Sequence, residues 1–169
     1  MDLKLLIEHL RYGGQIALKS DQQFALGVVA TSANPIITED LGFNANSWVC
    51  YMASDVMLDN FIDHFPEVGY ELLEASENRV AIETPLKGRI HNDFAIKKGF
   101  IKIRIAKSEA LTRLIHRLRS PLAVKNIEDC DFKLVDKTHP CIQVENEDLR
   151  AMDVIRFNPD ASFKLYRKK

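Results

Sequence analysis

Residues Lys97 to Pro121, KKGFIKIRIAKSEALTRLIHRLRSP, carry the pattern that decides the fold. Ile101, Ile103 and Ile105 alternate with Lys102 and Arg104, the period of two expected of a strand with one face in a core. Lys107 and Ser108 break the alternation. Ser108 is a good N-cap, and Glu109 follows in a first turn where the helix dipole favours an acid. Leu111, Leu114, Ile115 and Leu118 then recur at helical spacing until Ser120-Pro121 ends the run. Arg113, His116 and Arg117 project away from that apolar stripe. The unit is a strand, a tight turn and a helix, with Arg104 aimed off the sheet.

Upstream, Leu3, Leu6, Ile7 and Leu10 predict a short amphipathic helix capped by Asp2 and ended by Gly13-Gly14. Strands are expected over Gln15 to Ser20, Phe24 to Ala30 and Trp48 to Ala53, with a polar loop over 31–47. Ser54 or Asp55 caps a helix through Leu58 and Phe61, Val68 to Ala75 forms another, and Arg79 to Glu83 a strand. Residues 85–99 read as a long loop or partial strand. Downstream of Pro121, short strands are expected at Leu122–Val124, Phe132–Val135, Cys141–Val144, Val154–Phe157 and Phe163–Tyr166, the last two joined by a turn at 158–161. Strands interleaved with helices predict an α/β domain, a twisted mixed sheet with helices packed on it.

The 169 residues suit one domain over 1–169, and 46% hydrophobic content is ample for a core. A net charge of −1 gives the molecule no global attraction for nucleic acid or membrane. The charge is uneven, however. Eight Lys/Arg and one acid lie between Lys97 and Arg119, whereas acids gather at Glu128, Asp129, Asp131 and from Glu145 to Asp148. Three cysteines without a CxxC pair, and no signal peptide at the start, predict a reduced cytoplasmic setting. No apolar run approaches the roughly 20 residues of a membrane helix.

In order and wording the chain resembles the YrdC-type family, whose active members are threonylcarbamoyl-AMP synthases. Those enzymes join threonine, bicarbonate and ATP. Leu10 to Leu18 is similar to the family's opening helix, Gly-Gly and first strand, and Val49 to Asp55 to its strand ending in Val-Ser-Asp. Tyr70 to Glu74 resembles a family helix, the central strand a Gly-x-Arg-x-Pro strand with Arg104 in the arginine place, and Pro121-Leu122 the Pro-Leu pair. Val154 to Phe157 and Phe163 to Arg167 look like the closing strands.

The departures fall on the motifs. Lys19 to Leu26 stands where the family has Pro-Thr-Asp-Thr-x-Tyr-Gly-Leu, with Ser20, Asp21, Phe24 and Leu26 as echoes. The interval from Gly27 to Trp48, where a Lys-x-Arg phosphate segment belongs, contains no Lys or Arg. Lys125 to Glu128 replaces Thr-Ser-Ala-Asn, bringing the negative charge of Glu128 near any phosphates.

The resemblance therefore implies a degenerate YrdC-like domain without synthase activity, keeping a concave face for a nucleotide, another small anion or RNA. Its substrate or nucleotide candidates are Lys19, Ser20, Asp21, Arg104, Lys125 and Arg167. Two alternatives stand beside it. One is a divergent active synthase in tRNA modification, in which ATP and magnesium would be needed and Lys19 or Lys125 would supply phosphate-binding charge. The other is a protein-interaction module docking its basic helix on an acidic partner. For Arg104 itself, an anion contact and a pairing with a neighbouring acid are both open. Lys97, Lys98, Lys102, Lys107, Arg113 and Arg117 form either an RNA-backbone patch or a solvated basic face. Cys130, His139 and Cys141 lack the spacing of a zinc site, and no resident metal is expected.

Overall fold

The computed structural model describes residues 2–21, 23–31, 48–75, 80–95, 99–127, 139–149, 153–158, 160 and 162–166. Four helices are described: α1 (Leu3–Arg11), α2 (Asp55–Phe61), α3 (Glu67–Ala75) and α4 (Glu109–Leu118). The strands are β1 (Ile16–Ser20), β2 (Gln23–Val29), β3 (Trp48–Met52), β4 (Val80–Pro85), β5 (Phe100–Ile105), β6 (Leu122–Ile127), β7 (Cys141–Gln143), β8 (Asp153–Phe157) and β9 (Phe163–Tyr166). They form one nine-stranded mixed sheet in the order β7-β1-β2-β6-β3-β5-β4-β8-β9. The β3–β5, β4–β8 and β1–β7 pairs are parallel, and the remaining neighbours run antiparallel. This is the mixed α/β sheet that the sequence predicts.

The strand–turn–helix unit forms as its pattern dictates. Ser108 caps α4, its hydroxyl accepting from the Leu111 N–H, and Leu111, Leu114, Ile115 and Leu118 are buried. Arg119 ends the helix in the left-handed conformation at φ 57°, where glycine is the usual residue. Period-two alternation then divides the core between the two faces of the sheet. Ile101 and Ile103 join Trp48, Cys50, Met52, Leu58, Ile62 and Leu73 on the face covered by α2 and α3. Tyr51, Leu122 and Val124 face the other way, against Leu6, Leu10, Leu114 and Leu118 of α1 and α4. Arg104 pairs with Tyr51 in register and shares that second face.

Several boundaries differ from expectation. β6 runs to Ile127 because it is clamped between β2 and β3, whose registers carry it past Val124. β4 occupies Val80–Pro85, a shift set by its pairing with β5. Within 85–99 the chain is less irregular than expected: Asn92–Phe94 forms a 3₁₀ turn, and Phe94 packs edge-on against Trp48 at 5.6 Å. The β8–β9 turn closes with Asn158 N–H donating to the Ser162 carbonyl at 2.8 Å. The strand expected at 132–135 lies outside the described residues, as does most of the loop 31–47. Among the described residues no helix is long and apolar enough to cross a membrane.

Gly88 joins β4 to the 3₁₀ turn at φ +134°, and a Cβ there would sit 2.1 Å from the Phe61 carbonyl oxygen. Both the backbone and the space exclude a side chain. Gly88→Ala is expected to cost about 1–3 kcal/mol, read as a lower urea midpoint at unchanged m-value.

Candidate functional site

Arg104 does not face open solvent. It is 2% exposed, and its guanidinium lies among groups of its own chain. Nη2 stands 3.2 Å from Oε1 of Glu147, whose side chain is fully buried. Nη1 donates to the Asp148 carbonyl at 2.9 Å, and the Tyr51 ring lies beneath the guanidinium carbon at 5.5 Å. Of the two readings open for this arginine, pairing with an acid is the one observed.

The second Glu147 oxygen finds the start of α4. Oε2 accepts from the Lys107 N–H at 2.7 Å and the Ser108 N–H at 2.8 Å. These amides belong to the turn where a helix leaves donors unpaired and its dipole favours negative charge. A guanidinium, two convergent amides and a helix N-terminus make an anion site, and the carboxylate in it comes from residue 147.

The segment around Glu147 is fixed along its length. Ser20 Oγ donates to the Glu147 carbonyl at 2.6 Å, and the Leu149 N–H donates to Gln23 Oε1 at 2.6 Å. Asn126 Nδ2 donates to the Leu149 carbonyl at 2.8 Å. One turn earlier, the Val144 N–H donates to the Lys19 carbonyl, continuing the parallel pairing of β7 with β1. Residues 144–149 thus lie across the strand ends as a plug.

Burial raises the Glu147 pKa above the ordinary carboxylate range, outweighing the opposing Ser108 N–H, the Arg104 charge and Lys107. Oε1 has the nearby guanidinium but no aligned hydrogen bond, which fits a carboxylate held at the cost of its hydration.

The remaining candidates separate by strand parity. Ser20 shares the Arg104 face. Lys19 and Lys125 alternate with Ser20 and Asn126 and therefore stand on the opposite face, in register with Phe24 and with Leu26 and Trp48. Lys19 Nζ lies over the Phe24 ring at 5.9 Å. Asp21 is an exposed turn residue at φ 47°. Of the candidates Lys19, Ser20, Lys125 and Arg104, Ser20 and Arg104 are the two that meet at Glu147. Arg167 lies outside the described residues, as do Lys97, Lys98, Glu128 and Cys130.

The basic residues that are described stand on different elements. Lys102 is half-buried on β5, Lys107 stands at the start of α4, Arg113 pairs with Glu109 at 2.6 Å, and Arg117 sits at the far end of the helix. Among the described residues no three His, Cys, Asp or Glu side chains cluster as metal ligands. Cys50 is a core thiol whose pKa burial pushes up to about 12, so it is no nucleophile at neutral pH.

Sequence reasoning missed Glu147, Gln23, Asn126 and Tyr51. The one available signal was charge balance: the acids from Glu145 to Asp148 are the natural counterpart of a basic strand that has no acid of its own.

Comparison with solved structures returns the same architecture. The chain is similar to P. abyssi Sua5 complexed with L-threonine, with a TM-score of 0.73 at 17% identity, over 92% of this chain and 50% of that one. It is similar to E. coli YciO, with a TM-score of 0.71 at 17% identity, over 98% and 88% of the two chains. A full-length HypF in the phosphate- and nucleotide-bound form matches at a TM-score of 0.69 and 16% identity, covering 96% of this chain and 28% of that one. The fold is YrdC-like, and the chain spans about half the length of the Sua5 structures it matches. No protein-family model and no curated protein sequence matches the chain.

Removing the plug's carboxylate leaves Arg104 buried without its charge partner. Glu147→Ala is expected to lose about 3–5 kcal/mol in urea unfolding, with part of the loss restored by acetate or formate, which fit the vacated site. In the native state Glu147 keeps its proton to higher pH than in the unfolded chain. Its contribution to stability therefore falls as pH rises from the unfolded value of about 4.3 through the native pKa. Paired unfolding curves for wild type and Glu147→Gln should shift in favour of the variant across that window.

Proposed function

We propose that this is a YrdC-like domain that does not make threonylcarbamoyl-AMP and acts by binding rather than by catalysis. The observation that carries the reading is the engagement of Arg104 by Glu147. The same fold is seen with L-threonine in one neighbour and with phosphate and nucleotide in another. All of those ligands carry anionic groups, and an anionic group needs cations or free N–H donors to replace its hydration. In this chain the guanidinium of Arg104 and the amides of Lys107 and Ser108 already serve the Glu147 carboxylate.

Strand parity argues against the divergent synthase. That reading requires Lys19 or Lys125 to join Arg104 around a triphosphate, and both stand across the sheet from it. With its guanidinium and amides engaged by Glu147, the donor set around Arg104 is a poor match to the phosphates of ATP. A carboxylate beside the phosphates would add repulsion to the missing charge.

The test is direct. Purified protein given threonine, bicarbonate, ATP and magnesium should release no pyrophosphate above a threonine-free control. Threonine-dependent pyrophosphate release by the wild-type chain would overturn the proposal.

A further inference from the structure

The outer end of the sheet is uncovered on the side that carries α2 and α3. There α2 packs on β3 and α3 on β4 and β5, and among the described elements no helix packs comparably on β8 or β9. Phe157 and Ile155 of β8 turn to this side, Phe157 buried and Ile155 half-buried. Their register partners on β9 are Phe163 and Leu165, which stand on the same face and are 65% and 50% exposed. The sheet therefore ends in an apolar shelf open to water. Among the described strands β9 is also the last, so one row of its backbone groups has no neighbour.

Helix α3 walls this shelf. Tyr70 Oη donates to Asp59 of α2, which turns one flank of α3 toward α2 and hence toward β3. Val68 and Leu72 lie about 160° around the helix axis from Tyr70, on the flank toward β8 and β9. Val68 is 52% exposed. A hollow of about 180 Å³, bordered by Pro66, Phe157 and Lys87, opens between the start of α3 and the end of β8. A contiguous exposed apolar surface of this kind marks a contact site more often than a bare face.

Charge selects the occupant. Residues 54–78 hold seven acids and no Lys or Arg, whereas residues 158–169 hold four Lys/Arg and one acid, Asp160. Glu67, Glu71 and Glu74 form the exposed ridge of α3, and the ion pairs among the described residues give none of them a cation. The basic shelf calls for an apolar surface edged with acids, and the chain carries such a surface on the same side of its own sheet. Two surfaces so placed satisfy each other twice about a twofold axis. Pairing β9 with β9 of a second copy would instead bring two basic stretches together.

We propose that two copies of this chain associate about a twofold axis, Val68 on the exposed ridge of α3 in each covering Phe163 and Leu165 of the other, with Glu67, Glu71 and Glu74 turned toward Lys164. The interface shares no residue with the Arg104 cleft, so it stands whether or not that cleft is closed.

The test is sedimentation equilibrium of the full chain over about 1–100 μM. The mass is expected to rise with concentration to twice the 19.3 kDa of the chain. Val68→Ser and Leu165→Ser change exposed positions and should keep the wild-type melting temperature. Each alters the twofold interface twice and should raise the dissociation constant about tenfold. An equimolar mixture of the two variants should associate more tightly than either alone, because it regains one intact contact. Leu5→Ser, on α1 across the sheet and 60% exposed in the wild type, should change nothing. A monomer throughout the range, no gain on mixing, or an equal loss from Leu5→Ser would overturn the proposal. Loss from Leu165→Ser with none from Val68→Ser would overturn it in favour of pairing between β9 edges.

Discussion

The buried Arg104–Glu147 pair is the interaction on which the far side of the sheet depends. Burying two charges costs several kcal/mol per ion before any attraction is counted, and the pair is tolerable only when its remaining hydrogen-bonding groups are met. Here most of them are met: the Asp148 carbonyl accepts from Arg104, the amides of Lys107 and Ser108 donate to Glu147 Oε2, and the Tyr51 ring lies under the guanidinium, while Oε1 has the guanidinium 3.2 Å away without an aligned hydrogen bond. Each partner lies on a different part of the chain. The pair therefore ties the end of β5, the start of α4 and the segment after β7 into one unit. Loss of either charge would weaken that tie.

This arrangement changes what an arginine on a family-like strand means. An open strand end carrying a guanidinium beside a helix N-terminus is ready for an exogenous anion. The same residues closed over a carboxylate from 147 form a structural joint. Fold alone does not separate these cases, because function resides in sites placed on a fold rather than in the fold itself. The hydrogen bonds from Ser20, Gln23 and Asn126 to residues 147–149 show that the closure is distributed rather than a single contact.

Much of the fold was legible because it rests on local pattern. The alternation of Ile101, Ile103 and Ile105 and the helical stripe from Leu111 to Leu118 each report a periodicity that burial enforces. The order of motif-like fragments also pointed to the YrdC-like architecture. The site was less legible. Arg104 and Ser20 share one face of the sheet, whereas Lys19 and Lys125, their companions in the family-like motifs, stand on the other. A single residue of offset sends a side chain to the other face. Glu147 was hinted at by charge balance alone: its partner lies 43 positions away in sequence (147 minus 104), and no local pattern encodes a long-range ion pair.

The closed cleft is tested most directly by amide hydrogen exchange at Lys107, Ser108 and Leu149, followed by NMR. All three donate to side chains that close the cleft, Lys107 and Ser108 to Glu147 and Leu149 to Gln23. The account expects protection close to that of the central strand amides of β3 and β5, unchanged by added threonine and ATP. Exchange as fast as in exposed turns, or a loss of protection when those ligands are added, would contradict it.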